Sequence, residues 1–129
     1  MLSLHFADSE VAAVDAAPGG VLIRLSAAHV EQAGAAPGDR PAAGFSRGVV
    51  LLLDAAEPPP PGAALFGRLF AGRIRLGEQW HARLTLPSSQ RGPVRLELAF
   101  ANHAQLTLSA QGVACRFESD PNFTESMAC

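Results

Sequence analysis

The string Gly44-Phe45-Ser46-Arg47-Gly48 has the form G-x-S-x-G. Serine hydrolases use that spacing to set a nucleophilic hydroxyl on a strained turn, with a strand before it, a helix after it and backbone N–H donors beside it. His81 and His103 lie downstream and Asp54 lies close, so the residue types of a Ser-His-Asp triad are present. The order of elements is inverted, however. A stretch of Ala, Gly and Pro precedes Ser46, and the apolar run Val49-Val50-Leu51-Leu52-Leu53 follows it. Ser46 is therefore expected to be a loop residue leading into a strand, and no residue is assigned a catalytic role.

The four histidines, His5, His29, His81 and His103, could in principle be joined by Cys115, Asp8 or Glu10 to hold a metal. No pair sits at a ligand spacing such as H-x-x-x-H or C-x-x-C, and zinc sites need three or four convergent ligands. Neither metal nor cofactor is expected, and His81 and His103 are read as solvated. Paired acids at Asp8 and Glu10, and at Glu118 and Asp120, read as strand-end charges, because acid/base work would need one member of each pair raised by burial. Cys115 alternates in phase with Val113 and Phe117 and is expected in the core as a free thiol, and Cys129, the last residue, is expected to be a free thiol as well.

Composition narrows the classes further. The 129 residues are 48% hydrophobic and 17% charged, which suits one folded domain rather than a disordered chain. All ten basic residues are arginine, the net charge is −2, and the arginines are spread along the chain, so no nucleic-acid surface is expected. The first residues lack a basic leader, and no apolar run approaches the ~20 residues of a membrane span, so a cytoplasmic protein with no membrane contact is expected. On that reading Asn122-Phe123-Thr124 is a chance match to a glycosylation acceptor.

The elements that would position these groups are strands. Val94, Leu96, Leu98 and Phe100 share one phase, as do Leu106, Leu108 and Ala110, and then Val113, Cys115 and Phe117. Parity predicts Phe100 opposite Leu106, Leu98 opposite Leu108 and Leu96 opposite Ala110, with Asn102-His103-Ala104 as the loop. A second hairpin is predicted at Gln111-Gly112, where the inward phase changes. Upstream, Phe66, Phe70, Ile74 and Leu76 are placed inward, facing Trp80, Ala82, Leu84 and Leu86, with Leu76 opposite Trp80. Residues 87–93 are read as an exposed loop.

Towards the N-terminus, residues 2–6 and 10–14 read as short edge strands and 21–25 as a strand that continues, bulged, through 26–33. A flexible loop is expected at 34–44, a strand covered on both faces at 49–53, and a proline-rich connector at 57–62. The fold class expected is all-β, an antiparallel sandwich or partly closed barrel of eight or nine short strands. Three functional classes fit such a domain. The leading one is a non-enzymatic protein-interaction or accessory module, of inhibitor or immunity type, meeting a protein partner or a second copy through an edge strand or the tail at 120–129. A small-ligand-binding barrel is the alternative, and a hydrolase using Ser46 ranks last.

Overall fold

A computed structural model describes residues 2–34 and 38–118. The described residues form nine antiparallel strands and no helix: β1 (Leu2–Ala17), β2 (Gly20–Gln32), β3 (Ala42–Ser46), β4 (Val49–Asp54), β5 (Gly67–Leu76), β6 (Gln79–His81), β7 (Arg83–Leu86), β8 (Ser88–Phe100) and β9 (Gln105–Phe117). Strands β2, β4, β9, β8 and β5 pair in that order, and β1 pairs with both β5 and β2, which closes a six-stranded barrel. The all-β expectation holds in its barrel form. Closure is what lets short strands of modest apolar content fold without leaving a wet apolar face.

Inward residues meet in rows across the staves. Val21, Leu53 and Val113 form one row, and Ile23, Leu51 and Cys115 the next. Leu4, Phe6, Ile74 and Leu96 are buried in the same core.

Two strands outrun the barrel. The first residues of β1, Leu2–His5, pair with the end of β2 on one side and with β7 on the other, and β3 adds outside β2. The result is a four-stranded extension in the order β3-β2-β1-β7. Strands β3 and β4 keep one register along β2, with Ala28 opposite Ser46 and Leu25 opposite Val49, so they are two halves of a single line of chain interrupted at Arg47-Gly48.

Several predicted pairings are corrected. In β8–β9 the faces are as expected but the register is shifted by two residues: Leu98 faces Leu106, Leu96 faces Leu108 and Val94 faces Ala110. The loop is Ala101-Asn102-His103. His103 N–H donates to Phe100 O at 3.0 Å, Phe100 N–H donates to Ala104 O at 2.9 Å, and His103 takes φ 76°. This is a three-residue loop with a left-handed third residue, one position earlier than the predicted one, and parity alone does not distinguish the two closures. The hairpin predicted at Gln111-Gly112 does not form, because β9 runs straight through it. Its phase change is met by a register shift on β8 between Arg91 and Val94, where Gly92 has φ 111°. Residues 88–91, expected in a loop, are therefore strand.

The 66–86 region departs further. Its hairpin turns at Gly77-Glu78, with Leu76 opposite Gln79 and Arg75 opposite Trp80, one residue from the predicted register. A one-residue shift moves a side chain to the other face, so Trp80 points outward. A second irregularity between Leu69 and Ala71 turns Phe70 outward, and Phe66 is also exposed, while Leu69 takes the buried place. Leu84 and Leu86 are buried as expected, but their strand, β7, pairs with β1 and not with β5.

In the N-terminal half, the two expected edge strands are one 16-residue strand, β1, with irregularities between His5 and Ala13 and Asp8 at φ 71°. The bulged continuation of β2 to Gln32 holds. Ala42–Gly44, assigned to the flexible loop, belong to β3.

Candidate functional site

The outer face of the extension gathers groups that lie far apart in sequence. One register position runs across all four strands: Phe45 faces His29, His29 faces His5, and His5 faces Arg83. The next row on the same face carries Ala43, Glu31, Ser3 and Thr85. Cross-strand neighbours at such spacing interact directly, and here they do. The rings of His5 and His29 stand 4.9 Å apart, and His29 stacks on Phe45 at 5.4 Å. Glu31 Oε1 lies 3.1 Å from His5 Nε2 and also accepts from Arg83 Nη1 at 3.1 Å.

Ser9 holds this ladder in place from beneath. It is a buried polar residue whose hydroxyl donates to His5 O at 2.7 Å and accepts from His29 N–H at 2.9 Å. The β1–β2 register breaks between His5 and Glu10, and the serine hydroxyl supplies the partners that the interrupted ladder lacks. Replacing Ser9 with Ala leaves the His29 N–H without that acceptor, so the variant is expected to lose about 1–3 kcal/mol. Urea unfolding checks this; a midpoint equal to that of the parent would contradict the assignment.

The remaining candidate residues fall elsewhere. Ser46 ends β3 and is followed by β4 with no intervening helix, and its hydroxyl donates only to Arg47 O at 3.3 Å. Strand alternation sets it on the opposite face from Phe45 and the histidine ladder, so the triad types are not brought together. His81 sits opposite buried Ile74 and is half-buried, not solvated as expected, while His103 occupies the exposed β8–β9 turn. Cys115 is fully buried between Leu51 and Ser88, and burial pushes its thiol up to about 12, which suppresses the nucleophilic thiolate. Asp8 pairs with Arg68 at 3.0 Å, Glu10 accepts from Ser26 Oγ at 2.7 Å, and Glu118 pairs with Arg24. Among the described residues no three of His, Cys, Asp and Glu converge as a metal-holding group. Asp120, the 122–124 acceptor string, the tail at 120–129 and Cys129 lie outside the described residues.

Comparisons with protein-family models, with curated proteins and with solved structures find no match to this chain. The geometry therefore has to speak for itself.

Among the described residues no hydrogen bond joins the His5 or His29 ring to a side-chain hydroxyl or thiol: His5 Nε2 meets Glu31 and His29 Nδ1 meets Ala7 O at 3.2 Å. The ladder was beyond reach of sequence spacing, since its members come from four strands and three registers.

Proposed function

We propose that this chain is a non-enzymatic protein-interaction module that pairs, edge to edge, with a second copy of itself through β3. The observation that carries the reading is the character of that edge. Among the described residues β3 pairs only with β2, its sequence Ala42-Ala43-Gly44-Phe45-Ser46 has no charge and no proline, and Phe45 is 65% exposed. Edges that must not pair are blunted with Lys, Pro or bulges, and this one has none of them.

The same five residues are self-complementary. Antiparallel pairing about a two-fold axis at Gly44 sets Phe45 opposite Ala43 of the other copy, twice, and Ala42 opposite Ser46. Large faces small at both positions. The two extensions then merge into one continuous sheet whose outer face carries both histidine ladders. The six staves have their ladder partners already, so among the described residues the open edges are those of β3, β6 and β7, and of these β7 carries Arg83.

The interior supports a binding surface outside the barrel over a ligand chamber within it. Phe6 is buried inside the barrel, packed closely against Gly72, and takes up interior space that a ligand-binding barrel keeps open. Sedimentation velocity over a range of concentrations tests the proposal. A reversible monomer–dimer equilibrium is expected, and a monomer throughout would overturn it.

A further inference from the structure

A second surface lies on the barrel wall, away from the extension. On the outer face of β5, β6 and β8, one row places Trp80, Arg75 and Arg95 side by side, and the next places Arg73 opposite Glu97. The Arg73 guanidinium lies 3.9 Å from the centroid of the indole and that of Arg75 lies 5.9 Å from it. Glu97 receives Nε of Arg73 on one oxygen at 3.0 Å and Nε of Arg95 on the other at 3.2 Å. Those two hydrogen bonds hold its carboxyl below the ordinary value of 4.5. Glu97 thus orients both forks while using only their inner nitrogens. The terminal nitrogens of Arg73 and Arg95 meet no acceptor among the described residues, and Arg75 reaches no carboxylate there.

The charge is concentrated here although the whole chain is acidic. Arg73, Arg75 and Arg95 meet on this face around Glu97, a local net +2 within a chain of net −2. The even spread along the sequence that argued against a polyanion surface is not an even spread in space. Beside the arginines a groove of about 350 Å³ is floored by Ala71 and Ala99. It continues into a second, of about 340 Å³, lined by Phe70, Arg68 and His103. Phe70 is 72% exposed and stands about 16 Å along β5 from Arg75, at about 3.3 Å per residue.

We propose that this face binds single-stranded nucleic acid, with a base stacked on the Trp80 face that Arg73 leaves uncovered, phosphates on Arg73, Arg75 and Arg95, and the strand running along the groove towards Phe70. The site is independent of the β3 edge. Charge complementarity selects a polyanion, and the terminal guanidinium nitrogens that Glu97 leaves over can meet phosphate oxygens two at a time. Aromatic side chains along a basic groove are the arrangement that reads unpaired bases, whose π-faces a duplex conceals. An acidic peptide would use the charge but leave the two exposed rings without a role.

Trp80 is the only tryptophan and the chain has no tyrosine, so intrinsic emission reports on this site alone. Titrating the full chain with a short oligothymidine at low ionic strength is expected to quench that emission to saturation. Affinity is expected to fall with salt at a slope near −2, three phosphates at about 0.7 each. By anisotropy of a labelled oligothymidine, Trp80→Ala is expected to weaken binding about 5- to 150-fold, the range for loss of one stacked base. Arg75→Glu with Arg95→Glu, in a chain whose thermal transition is retained, is expected to abolish it. Absence of quenching overturns the proposal. So does quenching by polyglutamate as strong as by oligothymidine, or binding of thymidine monophosphate as tight as that of the oligomer.

Discussion

Phe6→Ala is expected to lower the unfolding free energy by about 3–5 kcal/mol, the range for removing a fully buried aromatic side chain. Phe6 sits at the seam where the barrel closes. There β1 and β5 share only two paired positions, Glu10 with Arg68 and Val11 with Gly67, so closure leans on side-chain packing more than on ladder hydrogen bonds. Phe6 fills the gap against Gly72, where an added Cβ would come within 2.6 Å of the Phe6 Cβ and 2.8 Å of Leu98 Cδ2. A Cβ moves only with its backbone. Gly72→Ala must therefore part β1 from β5 and is expected to cost about 3 kcal/mol, the upper part of the range for overpacking. Denaturant unfolding of the two variants checks both values; losses below about 1 kcal/mol would mean that the seam does not hold the barrel shut.

Phe45→Lys is expected to raise the dissociation constant of the dimer at least about 100-fold while leaving monomer stability within about 0.5 kcal/mol. Each copy would bury one Phe45 against Ala43 of the other. Full burial of such a side chain contributes about 1.5–3 kcal/mol, so two of them contribute about 3–6 kcal/mol, and each 1.4 kcal/mol is a factor of ten. The lysine adds a charge directly on the edge, the device by which natural sheets avoid such pairing. Sedimentation equilibrium of parent and variant measures the change. Equal dissociation constants would exclude β3 as the contact.

The parts of this molecule that can be read from sequence are those where a strand keeps one phase. Leu96, Leu98, Leu106 and Leu108 declare their faces by strict alternation, and the structure keeps those faces. What alternation leaves undetermined is register, because sliding a pair by two residues preserves every face; Leu98 opposite Leu106, where Phe100 was expected, is that ambiguity resolved by turn geometry. A change of phase is harder still. At Gln111-Gly112 the sequence is compatible with a turn or with a shift on the partner strand, and the deciding residue, Gly92, lies about twenty positions away at φ 111°. At Trp80 the displacement was one residue, and it carried the side chain from the core to the surface, which hid the arginine–tryptophan face from any reading by phase. The histidine ladder was hidden for a different reason. His5, His29, Glu31 and Arg83 have no informative spacing, and only closure of the barrel and extension of β1 and β2 beyond it bring them together.

Placing a cysteine on the proposed two-fold axis tests the central claim most directly. Gly44 has a negative φ region and open space where a Cβ would stand, so Gly44→Cys is accommodated. In a Cys129→Ser background the remaining native thiol, Cys115, is buried. Opposed residues of an antiparallel pair have Cα atoms about 4.5–5.5 Å apart, inside the range a disulfide spans. Mild oxidation of Gly44→Cys is expected to give a covalent dimer in high yield, whereas Ala42→Cys, whose two copies would lie about 13 Å apart along the strands, is expected to give little. Failure of Gly44→Cys to cross-link, or equal cross-linking of the two variants, would contradict edge-to-edge pairing through β3.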